Sequence, residues 1–158
     1  MSRIQTRFAA LKQEGRGALI PYLQACDPDY DTSLELLRAM PAAGADLIEI
    51  GVPFSDPSAD GPTIQAAALR GLKAGATLGL VLQMVRAFRE TDTVTPIVLM
   101  GYLNPTDSYG PAEFCFDAAK AGADGISVVD MPNEDADLQA ANAWEAGLDL
   151  FSLVAPTT

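Results

Sequence analysis

Residues 46–65 contain the side chains with the clearest potential for acid–base chemistry. Glu49 interrupts an otherwise apolar run, where burial of a carboxylate either costs stability or raises its pKa. Asp56 and Asp60 follow in a loop rich in Gly and Pro. Because a strand end and its own loop can fold back on each other, Glu49 and Asp60 could divide the roles of acid and base.

Each of these carboxylates also has a purely structural interpretation. Glu49 would fit a solvent-facing position on an edge strand. Asp60 precedes Gly61 and Pro62, which is typical of a helix N-cap with Pro in the first turn. Asp56 would fit an ordinary polar loop. Spacing alone leaves both interpretations open.

Composition restricts the chemistry further. The 158-residue chain has no histidine, which excludes Ser/His/Asp and Cys/His nucleophile systems and leaves carboxylates, Tyr, Lys or Cys. Its two cysteines, Cys26 and Cys115, form no CxxC pair or disulfide framework and are predicted to be buried apolar residues. We predict no metal site.

Charge and hydropathy exclude two classes of partner. The net charge is −11, and residues 90–158 hold twelve acidic side chains with Lys120 as the only basic one. Without a basic patch, we expect no binding to nucleic acid. No apolar run approaches the ~20 residues that span a bilayer, and the N-terminus has no secretory signal pattern. We therefore expect a cytoplasmic protein that does not interact with membranes.

The elements that must position these residues follow from five short apolar runs separated by segments with helical spacing. Nearly continuous apolar runs indicate parallel strands covered on both faces, as in α/β proteins. A helix is predicted over residues 2–14, and Asp31 is a candidate start for the next. The chain is predicted to be one domain, residues 1–158. The expected strands are residues 18–23, 47–52, 97–102, 126–129 and 150–154.

A weak repeat accompanies the strands. Ala-Gly-Ala-Asp precedes two of them, around Gly44 and Gly122, and Ala-Gly-Leu-Asp precedes a third, around Gly147. Each glycine is predicted to end the preceding helix.

Five such units fit either an open doubly wound sheet or part of a (β/α)₈ barrel. The length alone favours the open sheet, because a whole barrel takes ~250 residues. However, the sequence has neither GxGxxG nor GxxxxGK[ST], which counts against flavodoxin-like and dinucleotide-binding proteins.

Longer motifs then identify a resemblance. Residues 47–65 closely resemble the signature of the tryptophan synthase alpha chain family, and the similarity extends over essentially the whole chain. Cys26 and Ser58 depart from the family pattern, which has Gly and Leu there. The other matching segments are Pro21-Tyr22, Asp27-Pro28-Asp29, residues 96–105, residues 128–132 and residues 153–158.

The resemblance implies a (β/α)₈ barrel, here about five βα units of an incomplete one, with a five-stranded open parallel sheet as the alternative. It implies cleavage of indole-3-glycerol phosphate to indole and glyceraldehyde 3-phosphate, with Glu49 moving protons and Asp60 stabilising charge at the indole N–H. Tyr22, Met100, Tyr102 and Val129 are expected to line the indole pocket.

The same resemblance implies a partner. It implies binding to a tryptophan synthase beta chain, in which Asp56, Asn104 and Pro132 contact the partner. No cofactor is expected in this chain, and pyridoxal phosphate belongs to the beta chain. A noncatalytic fragment that keeps this interaction surface is the alternative function.

Family members continue through three more strands, which carry the phosphate site, so we expect this chain to be truncated. Two open sheet edges would then remain. We expect self-association through these edges.

Overall fold

The computed structural model describes residues 2–154 and 156. Within them, parallel strands alternate with helices, and the first helix runs over Arg3–Glu14, with Ser2 as its N-cap rather than as its first residue. The elements are α1 Arg3–Glu14, β1 Tyr22–Gln24, α2 Tyr30–Ala39, β2 Ile48–Gly51, α3 Pro62–Lys73, α4 Leu78–Arg89, β3 Ile97–Gly101, α5 Leu103–Tyr109, α6 Pro111–Ala121, β4 Gly125–Val128, α7 Asn133–Ala146 and β5 Asp149–Phe151.

The sheet has the strand order β1-β2-β3-β4-β5, with every neighbouring pair parallel. A doubly wound sheet would instead reverse direction at a switch point and place β1 inside the sheet. The open sheet that length alone favours is therefore wrong. The arrangement is an incomplete (β/α) barrel of five strands.

Alternate residues of the strands have different surroundings. Ile48, Ile50, Ile97, Leu99 and Ile126 belong to the main core, together with side chains of α2, α4 and α6. The intervening residues face the other side of the sheet, which is the interior of a barrel. Polar residues on the strands are thereby directed into the interior.

Two of the repeated aspartates join neighbouring strands at their amino ends. Asp46 accepts a hydrogen bond from the Leu19 N–H at 2.7 Å, and Asp124 accepts one from the Ile97 N–H at 2.9 Å. Arg16 and Arg7 also bind Asp46, and the Arg16 guanidinium, followed by the Leu19 N–H, holds the pKa of Asp46 well below its usual range. The repeat therefore fixes the relative position of successive strands.

Several predicted bounds differ from the structure. The first and last strands are shorter and shifted, being Tyr22–Gln24 rather than residues 18–23 and Asp149–Phe151 rather than residues 150–154. Helix α2 begins one residue before Asp31, because Asp29 caps it by accepting from the Thr32 N–H at 2.8 Å.

The repeated glycines agree with the prediction at two of three positions. Gly122 and Gly147 are left-handed C-caps, as predicted. Helix α2 instead has Met40 as its C-cap, and Gly44 lies in the turn that follows.

Candidate functional site

Glu49 lies in the middle of β2, between Tyr22 on β1 and Val98 on β3. These three residues share the interior face, because parallel neighbours in register project side chains to the same side. The Glu49 side chain is only partly exposed, so the edge-strand interpretation is wrong for the described sheet. Burial raises the pKa of the Glu49 carboxyl. A carboxyl with a raised pKa is suited to giving and taking protons near neutral pH.

Asp60 lies in the loop between β2 and α3, and it is not the N-cap of α3. That position belongs to Gly61, which has no side-chain cap. Instead, the Asp60 carboxylate accepts a hydrogen bond from the Tyr102 hydroxyl at 3.0 Å. The Tyr102 oxygen in turn accepts from the Ala59 N–H at 3.0 Å, so one side chain holds two consecutive loop residues. Asp60 is thereby held at the carboxyl end of the sheet.

Tyr22 connects the two carboxylates electrostatically. Burial, followed by the acidic groups of Asp60, Tyr102 and Glu49, raises the pKa of the Tyr22 hydroxyl. Asp60, Tyr102 and Glu49 therefore each lie within electrostatic range of the Tyr22 hydroxyl. The hydroxyl donates to Gln24 Oε1 at 2.5 Å.

Gln24 is a site residue that the sequence analysis did not single out. It is 5% exposed, lies on the interior face beside Gly51 and donates from Nε2 to the Gly51 carbonyl at 3.3 Å. The signal that could have found it is the one that identified Glu49, a polar residue in an apolar run. The predicted strand, residues 18–23, ends one residue before Gln24.

The remaining predicted wall residues lie on the next two strands. Met100 faces Gly51 on β2 and Ser127 on β4, so its side chain shares the interior face with Glu49. Val129 directly follows β4, and its N–H donates to the Gly101 carbonyl at 3.0 Å. Both side chains are partly exposed. The geometry is compatible with a pocket wall at these positions.

The three predicted contact residues lie outside the cluster of acidic groups and are exposed. Asp56 accepts from the neighbouring Ser55 hydroxyl at 2.5 Å in the loop after β2. Asn104 lies in α5, after β3, and Pro132 is the N-cap of α7, after β4. All three follow the carboxyl ends of strands and therefore belong to one end of the sheet.

Cys26 and Cys115 are both buried and unpaired by a disulfide, as predicted. Cys26 has φ +59°, the left-handed conformation that favours glycine, which accounts physically for the glycine usual there in the family pattern.

Within residues 2–154 and 156, no group of three or more His, Cys, Asp or Glu side chains could hold a metal ion. No described helix is long and apolar enough to cross a membrane.

The strand order and the site together define a parallel (β/α)-barrel protein with Glu49 on the interior face of β2 and Asp60 in the loop at the carboxyl end of that strand. A family profile, tryptophan synthase alpha chain, matches residues 8–158. The chain therefore belongs to the tryptophan synthase alpha chain family.

Individual relatives agree with this assignment. The chain is 89% identical over all 158 residues to the tryptophan synthase alpha chain of Gluconobacter oxydans and 74% identical to that of Gluconacetobacter diazotrophicus. It spans 58% of the length of each of these relatives.

Solved structures show the same fold. The crystal structure of tryptophan synthase subunit alpha from Legionella pneumophila superposes with a TM-score of 0.96 at 44% identity, covering 100% of this chain and 60% of that one. A tryptophan synthase structure from M. tuberculosis gives a TM-score of 0.93 at 36% identity, covering 99% of this chain and 62% of that one.

Proposed function

We propose that the chain supplies the acid–base site of a lyase that cleaves indole-3-glycerol phosphate to indole and glyceraldehyde 3-phosphate. The observation that carries the proposal is the Glu49 carboxyl, which is directed into the barrel interior with a pKa raised by burial, opposite Tyr22, whose hydroxyl lies within electrostatic range of both Glu49 and Asp60. Family membership supplies the reaction.

Glu49 would move two protons in this reaction. Indole leaves as a poor carbanion unless C3 is first protonated, and the side-chain hydroxyl of the substrate loses a proton as the carbon–carbon bond breaks. The Glu49 carboxyl, with a pKa raised by burial, can perform both transfers.

Asp60 would act electrostatically. Tyr102 fixes the Asp60 carboxylate, so its charge can face the indole N–H as positive charge develops there. Tyr22, Met100, Tyr102 and Val129 would form the walls of the indole pocket, and the reaction would require no cofactor in this chain.

The test uses a protein of the relatives' length, which we call the completed chain. It consists of residues 1–158 joined to the remainder of the Gluconobacter oxydans relative. Glu49→Gln should lower kcat by at least ~10²-fold with little change in KM, the size of effect typical of general acid–base catalysis. Glu90→Gln is the matched control, because the Glu90 side chain is 74% exposed. Near-full turnover of Glu49→Gln at saturating substrate would assign Glu49 a structural role and contradict the proposal.

A second candidate function is a noncatalytic module that binds a tryptophan synthase beta chain, which carries the pyridoxal phosphate. The exposure of Asp56, Asn104 and Pro132 at one end of the sheet favours it. Residues 1–158 would then bind a beta chain in titration calorimetry without releasing indole. Absence of binding at micromolar concentration would count against this candidate. For either function we propose a cytoplasmic location.

A further inference from the structure

The Tyr22 hydroxyl occupies a position directly above Gly51. A Cβ placed on Gly51 would lie 1.9 Å from Tyr22 Oη and 2.5 Å from Tyr22 Cζ, distances that real atoms do not adopt. The phenol ring therefore crosses from β1 to β2 over the residue that has no side chain. Its hydroxyl lies on the interior face that Glu49 shares, two residues further along β2.

Gln24 fixes the hydroxyl in this position. The Gln24 amide donates from Nε2 to the Gly51 carbonyl at 3.3 Å and accepts at Oε1 from the Tyr22 hydroxyl at 2.5 Å. The opposite amide orientation would place two acceptors, Oε1 and the Gly51 carbonyl oxygen, against each other, so the network determines the orientation. A phenol can donate one hydrogen bond, and the Tyr22 hydroxyl donates its hydrogen bond to Gln24.

This choice of acceptor is unexpected from electrostatics alone. The titratable groups near the Tyr22 hydroxyl are Glu49 on β2, Asp60 in the loop after β2 and Tyr102 after β3. An ionised carboxylate is a stronger acceptor than a neutral amide. The Tyr22 hydroxyl nevertheless donates to Gln24, which is buried and whose amide is hydrogen-bonded to the Gly51 carbonyl of β2.

We infer that Gln24 is a positioning residue: it accepts the only hydrogen bond that the Tyr22 hydroxyl can donate and thereby keeps that hydroxyl from donating to the Glu49 carboxylate. The Tyr22 oxygen then presents lone pairs to the site, as an acceptor for a donor group of the substrate. This role in catalysis rests on the proposed function, whereas the hydrogen-bond arrangement does not.

The arrangement has a consequence for Glu49. A hydrogen bond donated to a carboxylate favours its charged form and lowers its pKa. Because Tyr22 donates elsewhere, burial dominates at Glu49 and keeps its pKa raised. Gln24 therefore preserves the protonation behaviour that the proposed reaction requires.

The test compares the Glu49 pKa in the completed chain and three variants, using ¹³C NMR of the glutamate carboxyl carbons, with the Glu49 signal assigned from Glu49→Gln. Gln24→Met keeps the side-chain shape but frees the Tyr22 proton, and should lower the Glu49 pKa by about 1. Tyr22→Phe combined with Gln24→Met removes that proton and should return the pKa to the wild-type value. An unchanged pKa in folded Gln24→Met would overturn the inference.

Tyr22→Phe alone decides the question even where Gln24→Met fails to fold, because it removes one oxygen atom. If Tyr22 donates to Gln24, this variant keeps the raised Glu49 pKa. If Tyr22 instead donates to Glu49, its removal should raise the Glu49 pKa by about 1, and the inference is wrong.

Kinetics separate this inference from the proposed function. Gln24→Met should shift the acid limb of the pH profile of kcat in parallel with the Glu49 pKa while changing KM little. A shifted Glu49 pKa with an unshifted profile would overturn the positioning role. A wild-type completed chain without indole release would contradict the proposed function, and the NMR titration would still test the hydrogen-bond arrangement.

Discussion

The Tyr102 hydroxyl donates to the Asp60 carboxylate at 3.0 Å, although 42 positions separate the two residues in the sequence. Tyr102 follows β3 and Asp60 lies in the loop after β2, so this bond joins two adjacent strand ends. The Tyr102 ring also packs against Phe54, with ring centroids 5.4 Å apart. The loop that carries Asp60 is thus fixed from the neighbouring strand.

Tyr102→Phe should therefore impair the site without disrupting the barrel. The variant keeps the ring contact with Phe54 but loses the hydrogen bonds to Asp60 and from the Ala59 N–H. Because misplacement of a charged group weakens transition-state stabilisation, we expect kcat of the completed chain to fall about 10-fold or more. Steady-state kinetics and a urea unfolding curve would check this. Unchanged kcat in a folded variant would show that Tyr102 does not position Asp60.

Glu49→Gln should also change the pH dependence of stability. Burial raises the folded-state pKa of Glu49 above its unfolded value. The fold favours the protonated form of Glu49, and the stability that this preference contributes is fully present below the unfolded pKa. This stability is lost as pH rises through the folded pKa, because the buried carboxylate then ionises. We expect the free energy of unfolding of the variant to rise relative to wild type as pH increases above about 4.3, the unfolded value, and the difference to level off above the folded-state pKa.

Urea unfolding of the completed chain at several pH values measures this difference. Glu90→Gln, at an exposed position, should show no such trend. A difference between Glu49→Gln and wild type that stays constant with pH would contradict the assigned effect of burial.

The catalytic candidates could be predicted because their signal is local. Glu49 is a charged residue within an apolar run, and Asp60 follows the same strand. Gln24 carried a similar signal, yet its strand was predicted to end at Leu23. The bounds of β1 depend on its pairing with β2, where Gln24 lies opposite Gly51, and that information is tertiary.

Barrel and open sheet could not be distinguished by periodicity for a related reason. Both architectures use buried parallel strands alternating with amphipathic helices. A doubly wound sheet has connecting helices on both faces, whereas a barrel has its connecting helices on the outer face. In this chain α2, α4 and α6 pack against the face that carries Ile50 and Leu99. On the other face, which Glu49 shares, Val98 packs with Leu47 and with Ile4 of α1. Family resemblance, rather than spacing, resolved this point.

Asp124 provides a prediction for stability. Its side chain is 4% exposed and accepts from the Ile97 N–H, from Arg89 and from Arg3, each at 2.9 Å. Asp124→Ala should lower the free energy of unfolding of the completed chain by about 3 kcal/mol, because it leaves the largely buried Arg89 guanidinium and a strand N–H without this acceptor. Asp124→Asn keeps an acceptor and should lose less.

Glu90→Ala is the surface control for this measurement. Glu90 pairs with Arg38 at 3.6 Å and is 74% exposed, so its removal should cost at most about 0.5 kcal/mol. Urea denaturation at neutral pH would measure all three variants. Equal losses for Asp124→Ala and Glu90→Ala would show that the Asp124 network does not stabilise the sheet.

The last prediction concerns the two outer strands in a polypeptide of residues 1–158. Among the described strands, β1 pairs only with β2, and β5 pairs only with β4. Unpaired backbone groups on such edges are templates for pairing with another chain. Apolar side chains accompany the β5 edge, since Leu153 is 57% and Val154 80% exposed.

We therefore expect this polypeptide to self-associate at ~10 to 100 μM, the range in which unpaired edges make chains associate. Leu153→Lys with Val154→Lys should weaken association, because charges oppose pairing at an edge. Leu69→Lys with Val94→Lys, which changes exposed apolar residues of α3 and of the segment before β3, should not. Analytical ultracentrifugation would compare the three. A compact, cooperatively unfolding monomer at 100 μM, the upper end of that range, would contradict the prediction, because it would require both outer strands to be stable without a partner.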